Sequence, residues 1–210
     1  MDDVIIIKTI QEWGGSYDEI HEVLYRAHQA NRDRGIVYKS ALLDGNGIRN
    51  RVGNGMTLVA IKDDIVIGTA SVSLRTGKYW FDRGLLVAHY CLAGVLPEFQ
   101  GQGIMKKLDE IRDSFAISYG AKIIRSGTAE KNIIQRKKFK KTGFIPVDFL
   151  VTKGNGYYSV MYAKWIDTSI APSKFFCRLH HFKSKIRTRL FYKPDGSKRM
   201  VGKVLGTHLK

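Results

Sequence analysis

The feature that most restricts this chain is a junction. Leu85–Leu96 is almost unbroken apolar sequence and stops at Pro97, which has no amide proton to offer a sheet ladder. Such a run reads as a buried central strand. Gly101 and Gly103 follow. From Gly103 to Tyr119, Leu108, Ile111 and Ala116 alternate at helical spacing with Lys106, Lys107, Glu110 and Asp113, and Gly120 supplies a stop. A strand entering a helix through a glycine turn places unpaired N–H groups and the positive end of a helix dipole at one point, which is a phosphate-sized anion site. Glycine there lets the backbone approach a ligand with no Cβ in the way. Lys106 and Lys107 sit where a helix start ordinarily prefers acids, which also favours an anion.

The rest of the chain reads around that junction. Val4–Ile10 is a β-branched first strand, and a helix capped by Ser16 or Asp18 runs to about Arg34. Ser40–Asp44 adds a short helical turn, and the glycines of Gly45–Gly47 and Gly53–Gly55 read as loops. Thr57–Lys62 and Ile65–Leu74 form two strands joined by Asp63-Asp64. Ala121–Ser126 is a strand and Asn132–Lys141 a basic helix stopped by Gly143. Phe144–Thr152 and Tyr157–Trp165 are strands around a Gly154–Gly156 turn. This order predicts an α/β (α+β) domain, a mixed central sheet of six or seven strands flanked by helices, over residues 1–168, with a basic extension over 169–210.

Hydrophobic residues make up 44% of the chain, enough for a core, and no apolar run is long enough to span a membrane. The acidic start at Asp2-Asp3 does not suit a secretory signal, so the expected location is cytoplasmic, or peripheral to the inner membrane face. Two separated cysteines, Cys91 and Cys177, suit neither a metal site nor a disulfide framework, so no metal is expected. The net charge is +16, and residues 171–210 carry eleven Lys/Arg against the single acid Asp195. Within 174–192, Phe175, Leu179, Phe182, Ile186 and Leu190 make one helical stripe among basic residues. Three destinations for that stripe stand open: the body of the protein, a second copy in a homodimer, or an anionic membrane surface. No nucleic-acid motif accompanies the charge, so nucleic acid is not the expected partner.

The string from Val95 to Met105, with Pro97, Glu98, Phe99, Gln100 and Gly103 in place, resembles the signature of the GNAT superfamily of acetyl-CoA-dependent N-acetyltransferases. Met105 departs from it, standing where glycine or alanine is usual. A second stretch, Asn132 with Gly143-Phe144, is similar to the family's later helix, but Phe139 occupies its tyrosine position. The resemblance covers about residues 4–165. It implies a GNAT fold and acetyl-CoA as co-substrate, bound by Ala93, Val95, Gln100, Gly101, Gln102, Gly103, Ile104, Met105 and Lys106 with Asn132 and Phe139. It implies direct attack by a small-molecule or sugar primary amine, with an N–H near Val95 on the thioester oxygen. Counting back from Val95 puts His89 at a position that holds a carboxylate base in some members, and histidine titrates where a base is useful. Phe139 has no proton for the leaving thiolate. That favours the alternative, a catalytically weak GNAT-like module that acts through its basic tail at a membrane, glycan-lipid or nucleic acid.

Overall fold

The computed structural model describes residues 4–151 and 156–199. The chain divides into two compact units, one formed by residues up to Arg32 with Tyr38–Ile124, the other by Asp33–Val37 with Arg125 onward.

The first unit is built on four antiparallel strands in chain order, β1 (Ile6–Thr9), β2 (Met56–Lys62), β3 (Ile65–Thr76) and β4 (Leu86–Val95). Asp63 and Asp64 both take positive φ, as the two-residue turn between β2 and β3 requires. Thr9 caps a one-turn helix α1 (Ile10–Trp13) that the sequence did not suggest, through a capping box with Glu12. A second capping box, Ser16 with Glu19, opens α2 (Tyr17–Ala27). The single helix expected to Arg34 is broken at His28, and α3 (Gln29–Asp33) follows as a separate short piece. The short helical turn expected at Ser40–Asp44 is a 3₁₀ turn that lies slightly earlier, over Lys39–Leu42.

The first glycine-rich loop is a correction. Gly45–Val52 is a helix, α4, because Asp44 accepts from the Gly47 amide at 2.7 Å and Ile48 and Val52 fall one turn apart in the core. Gly45 is needed there for close approach, since a Cβ would lie 2.4 Å from Asp18 Oδ1, which takes the Gly45 amide at 3.1 Å. Helices α2 and α4 cover one face of the strands with Ile20, Leu24, Ile48 and Leu92; Leu58, Ile67, Ala70 and Leu108 fill the other beneath α5 (Ile104–Ser118).

Helix α5 also differs in phase from its sequence reading. Its buried line is Ile104, Leu108, Arg112 and Ala116, one residue per turn, and Ile111 faces outward. Arg112 is an inward charge whose two terminal nitrogens are both engaged, while its buried Nε has no partner. It lies 4.1 Å over the Tyr90 ring, donates to the Ser71 carbonyl at 3.0 Å and pairs with Asp109. Asp113 accepts from the Tyr90 hydroxyl. Burial, then that bond, pushes the phenol far above its usual range. The first residues of β5 (Ile123–Ala129) belong to this unit, where Lys122 donates to the Leu86 carbonyl at 2.9 Å.

The second unit holds the rest of β5, α6 (Ile133–Lys141), β6 (Ile145–Val151), β7 (Tyr158–Trp165) and α7 (Lys174–Phe191), with β6 and β7 antiparallel. The turn expected at Gly154–Gly156 lies largely outside the described residues. Helix α7 packs on β6, which is the last strand of its sheet, and it does so with its polar face. Ser184 and Thr188 donate to the Phe149 carbonyl at 3.0 and 2.9 Å, the Phe149 amide reaches Ser184 Oγ at 3.3 Å, and Ser184 also bonds Asp148. His180 and His181 place Nδ1 at 3.3 and 3.1 Å from the Val147 and Asp148 carbonyls. The outer backbone groups of the edge strand, which would otherwise be open to another chain, are thus satisfied by side chains of a helix. Glu130 clamps the same helix through Lys185 and Arg189, both at 2.8 Å. Burial alone would raise its carboxyl, but these two cations outweigh it and hold the pKa below the usual range.

Candidate acyl-donor site

Two backbone irregularities make the site. The first is in β4. Thr69 pairs with Gly94 and Ser71 with Cys91, so Leu92 and Ala93 together oppose Ala70, and Leu92 carries the extra turn at φ 50. This is a β-bulge, which leaves a residue out of the ladder and re-aims the backbone. A leucine in the left-handed region is strained and persists because its surroundings hold it.

What holds it is α2, whose end the sequence reading passed over. Gly94 lies so close to this helix that a Cβ would fall 2.7 Å from the Ala27 Cβ. His28, the next residue, places Nε2 at 3.1 Å from the Ala93 carbonyl, while its Nδ1 accepts from the Asn31 side-chain amide at 3.1 Å. That partner set belongs to a neutral ring with its proton on Nε2. Burial lowers the His28 pKa and outweighs the opposite pull of the Ala93 bond, with a smaller lowering from nearby Arg32. The ring of Tyr38 closes on it edge-on at 5.2 Å. Only the i to i+3 spacing of His28 and Asn31 at a helix break could have signalled this in the sequence, and that signal is weak.

The second irregularity is the turn into α5. Pro97–Phe99 is a 3₁₀ turn, with Phe99 donating to the Leu96 carbonyl and Gln100 to Pro97. The Gln100 side chain returns to the Val95 carbonyl at 2.9 Å. Gln100 therefore has its amide proton and one side-chain donor committed to shaping the loop. Glu98 is tied to Arg26 of α2 at 2.8 Å. Gly101 and Gly103 take φ of +83 and +76, and the space where a Cβ would stand at each is open. Gly103 is the N-cap of α5 and no side chain caps it. The first amides of α5 with a protein acceptor are those of Lys106 and Lys107, both donating to the Gly103 carbonyl. Among the described residues, the five successive amides from Gly101 to Met105 donate to no protein group. Five unpaired donors around an open, left-handed turn at a fifteen-residue helix form a nest for an anion of phosphate size. Met105 offers its amide, while its side chain packs, partly buried, against the core cluster of Leu58, Ile104 and Leu108. Lys106 is exposed beside Glu110, 3.8 Å away.

His89 lies on β4 opposite Ser73 and is half-buried. Tyr90 points to α5, so His89 and Cys91 share the opposite face, that of α2 and α4. Arg75 runs along that face, with Nε on Ser73 Oγ at 3.0 Å and its far nitrogen on the Arg51 carbonyl at 2.9 Å. Burial raises the Cys91 thiol despite these arginines, which leaves it a protonated packing residue.

Asn132 and Phe139 belong to the second unit. The Asn132 side chain caps α6 by accepting the Gln135 amide at 3.1 Å. Phe139 is buried, 5.0 Å from the Phe144 ring and 4.8 Å from that of Tyr162, whose hydroxyl accepts from Arg136 at 3.2 Å. Tyr157 is buried just ahead of β7, and Tyr158 donates to the Tyr192 carbonyl at 2.9 Å. Among the described residues no His, Cys, Asp and Glu cluster suits a metal ion, and no helix is long and apolar enough to cross a membrane.

The profile of the Acetyltransferase (GNAT) family matches residues 17–144, which include α2, the bulge and the whole nest. The chain belongs to the GNAT family. Solved structures agree on the fold. A candidate acetyltransferase from Acinetobacter baylyi superposes with a TM-score of 0.60 at 15% identity, covering 83% of this chain and 99% of its own. An acetyltransferase from Streptococcus agalactiae gives 0.59 at 17%, covering 77% and 98%. The protein yncA from Salmonella typhimurium, solved with acetyl-CoA, gives 0.56 at 16%, covering 80% and 98%. No curated protein matches the chain in sequence. The GNAT fold here is mixed α/β with seven strands and flanking helices.

Proposed function

We propose that this GNAT protein transfers the acetyl group of acetyl-CoA directly to a primary amine held in the same site. One observation carries the reading: the unbroken run of free amides from Gly101 to Met105 at the start of α5. Acetyl-CoA brings an acetyl thioester, an acylating group of ordinary reactivity. The nest holds the diphosphate end. The β4 bulge, pinned by His28 through the Ala93 carbonyl, presents re-aimed backbone where charge grows on the acyl oxygen, and N–H donors fixed in advance at such a point are worth about 3 kcal/mol. His89 takes the proton that the amine loses as its nitrogen bonds to the acyl carbon, and the thiolate that departs collects its proton from water, since Phe139 has none to offer. The acceptor is a small-molecule or sugar amine, and the enzyme works in the cytoplasm.

The test is thiol release from acetyl-CoA with a panel of sugar amines, polyamines, amino acids and peptides, alongside calorimetric titration of CoA. Tight CoA binding with amine-dependent thiol release, lost in His89→Ala, supports the reading. CoA binding with no release across the panel replaces it with the catalytically weak binding module that the buried Phe139 favours. Absence of CoA binding refutes both.

A further inference from the structure

Helix α7 is inverted relative to ordinary amphipathic packing. Its small and polar residues, Cys177, Ser184 and Thr188, are buried on β6, and its large apolar residues face outward. Phe175 is 76% exposed, Phe182 59%, Leu190 53% and Ile186 46%, with Leu179 on the same line. The stripe from Phe175 to Leu190 runs about 22 Å along the helix at 1.5 Å per residue. No charge interrupts it, and it is longer than a soluble surface commonly leaves bare. The burial that would hide it in the body is prevented by chemistry already described: the edge of β6 demands hydroxyl and imidazole partners, and the helix face carrying them is the opposite one.

The margins of the stripe are basic. Arg178 lies on one side and Lys183 and Arg187 on the other, at helical angles bordering Phe182 and Leu190, and no acid occurs anywhere from Lys174 to Phe191. Arg189, on the margin beside Phe182, and Lys185, nearer the packed face, are engaged by Glu130. An apolar band edged by cations is matched by one kind of surface, in which anionic groups lie in a plane above hydrocarbon. A second copy of the chain is a poor match. Two α7 helices meeting through their stripes would set Arg178, Lys183 and Arg187 of each against those of the other, with no acid on the helix to answer them. Nucleic acid would use the cations but has no use for the phenylalanines.

We propose that α7 is an interfacial helix that lays its Phe175–Leu190 stripe into an anionic lipid surface. The inference does not depend on the acetyl-transfer reading.

The full chain is mixed with vesicles of phosphatidylcholine alone and of phosphatidylcholine with phosphatidylglycerol, and bound protein is separated by flotation. Binding to the mixed vesicles only, weakened by salt, is expected. Neutralising three cations, Arg178→Gln, Lys183→Gln and Arg187→Gln together, lowers affinity by about a hundredfold at about fivefold per charge. Phe175→Ser with Phe182→Ser abolishes binding while melting temperature and thiol release stay at the parent values, since both side chains are exposed. Failure of the parent chain to float with mixed vesicles overturns the proposal, as does equal flotation of the parent and the serine variant. A dimer in analytical ultracentrifugation that the same two serines dissociate also overturns it, by assigning the stripe to a second copy.

Discussion

Gly94→Ala is the sharpest probe of how the bulge is held. The backbone at Gly94 is not in the left-handed region, so alanine is allowed there on its own account. What forbids it is distance: the new methyl would stand 2.7 Å from the Ala27 Cβ, where carbon atoms in contact need about 3.5–4.0 Å. The end of α2 and the bulge must separate by roughly an ångström, and overpacking of this kind costs about 1–3 kcal/mol. For a chain of this size each kcal/mol moves the midpoint by about 2–4 °C, so a melting temperature lower by about 2–12 °C is expected. The shift also lengthens the His28–Ala93 bond, and kcat should fall about tenfold or more, with a smaller change in KM for acetyl-CoA, because the nest at Gly101–Met105 is untouched. Removing the other methyl supplies the control. Ala27→Gly alone costs up to about 1 kcal/mol for glycine in a helix, but combined with Gly94→Ala it should restore stability by about 1 kcal/mol or more beyond additivity. Thermal unfolding of the four proteins measures this directly. Strict additivity, or a Gly94→Ala protein that melts with the parent, would refute the argument that close approach is what demands glycine.

Gly103→Ala puts a side chain on a left-handed residue, at a cost of about 1–2 kcal/mol, and drives its methyl into the open space of the nest. Displacing the anion from one charged hydrogen bond, at about 1.5–3 kcal/mol, should raise KM for acetyl-CoA about tenfold to a hundredfold in steady-state assays. The lowered pKa of His28 sets a pH dependence: the unfolded chain takes up a proton below about pH 6.5 and the buried ring does not. Stability from this group is complete above about pH 6.5 and is lost as pH falls towards the depressed folded value, and urea melts of His28→Gln between neutral and mildly acid pH should show a shallower decline than the parent. His181, lowered mainly by burial, supplies a decline of the same sign that remains in that variant. Ser184→Ala leaves the Asp148 carboxylate and the Phe149 backbone short of a buried partner and should cost about 1–3 kcal/mol in denaturant melts, whereas Phe182→Ser on the outer face should change stability by less than about 0.5 kcal/mol.

The junction at Pro97–Gly103 was legible because its chemistry is backbone chemistry: glycine, proline and an apolar run declare conformation without reference to distant residues. The bulge was not, because Leu92 adopts its conformation under pressure from α2, far away in sequence, and nothing in Leu92-Ala93 announces it. Gly45–Val52 misled for a related reason. Its glycines read as loop by propensity, yet Asp44 supplies a cap and the Asp18 carboxylate requires a residue with no side chain. Ile111 was read as inward and Arg112 passed over, although the turn-by-turn line of Ile104, Leu108 and Ala116 runs through Arg112. The α7 stripe was seen and its occupant left open, since the pattern shows which residues share a face but not which face a sheet edge will claim.

The hydroxyl-lined seam between α7 and β6 has a practical consequence for anyone wishing to trim the protein. By sequence the family pattern ends near Trp165, which invites a shortened version ending there. Such a version would strip Ser184 and Thr188 from the rim of the sheet and expose a bare strand with carbonyls seeking donors, a template for fibril-like self-association. A membrane-binding control is therefore better built by repainting the outside of the helix than by deleting it.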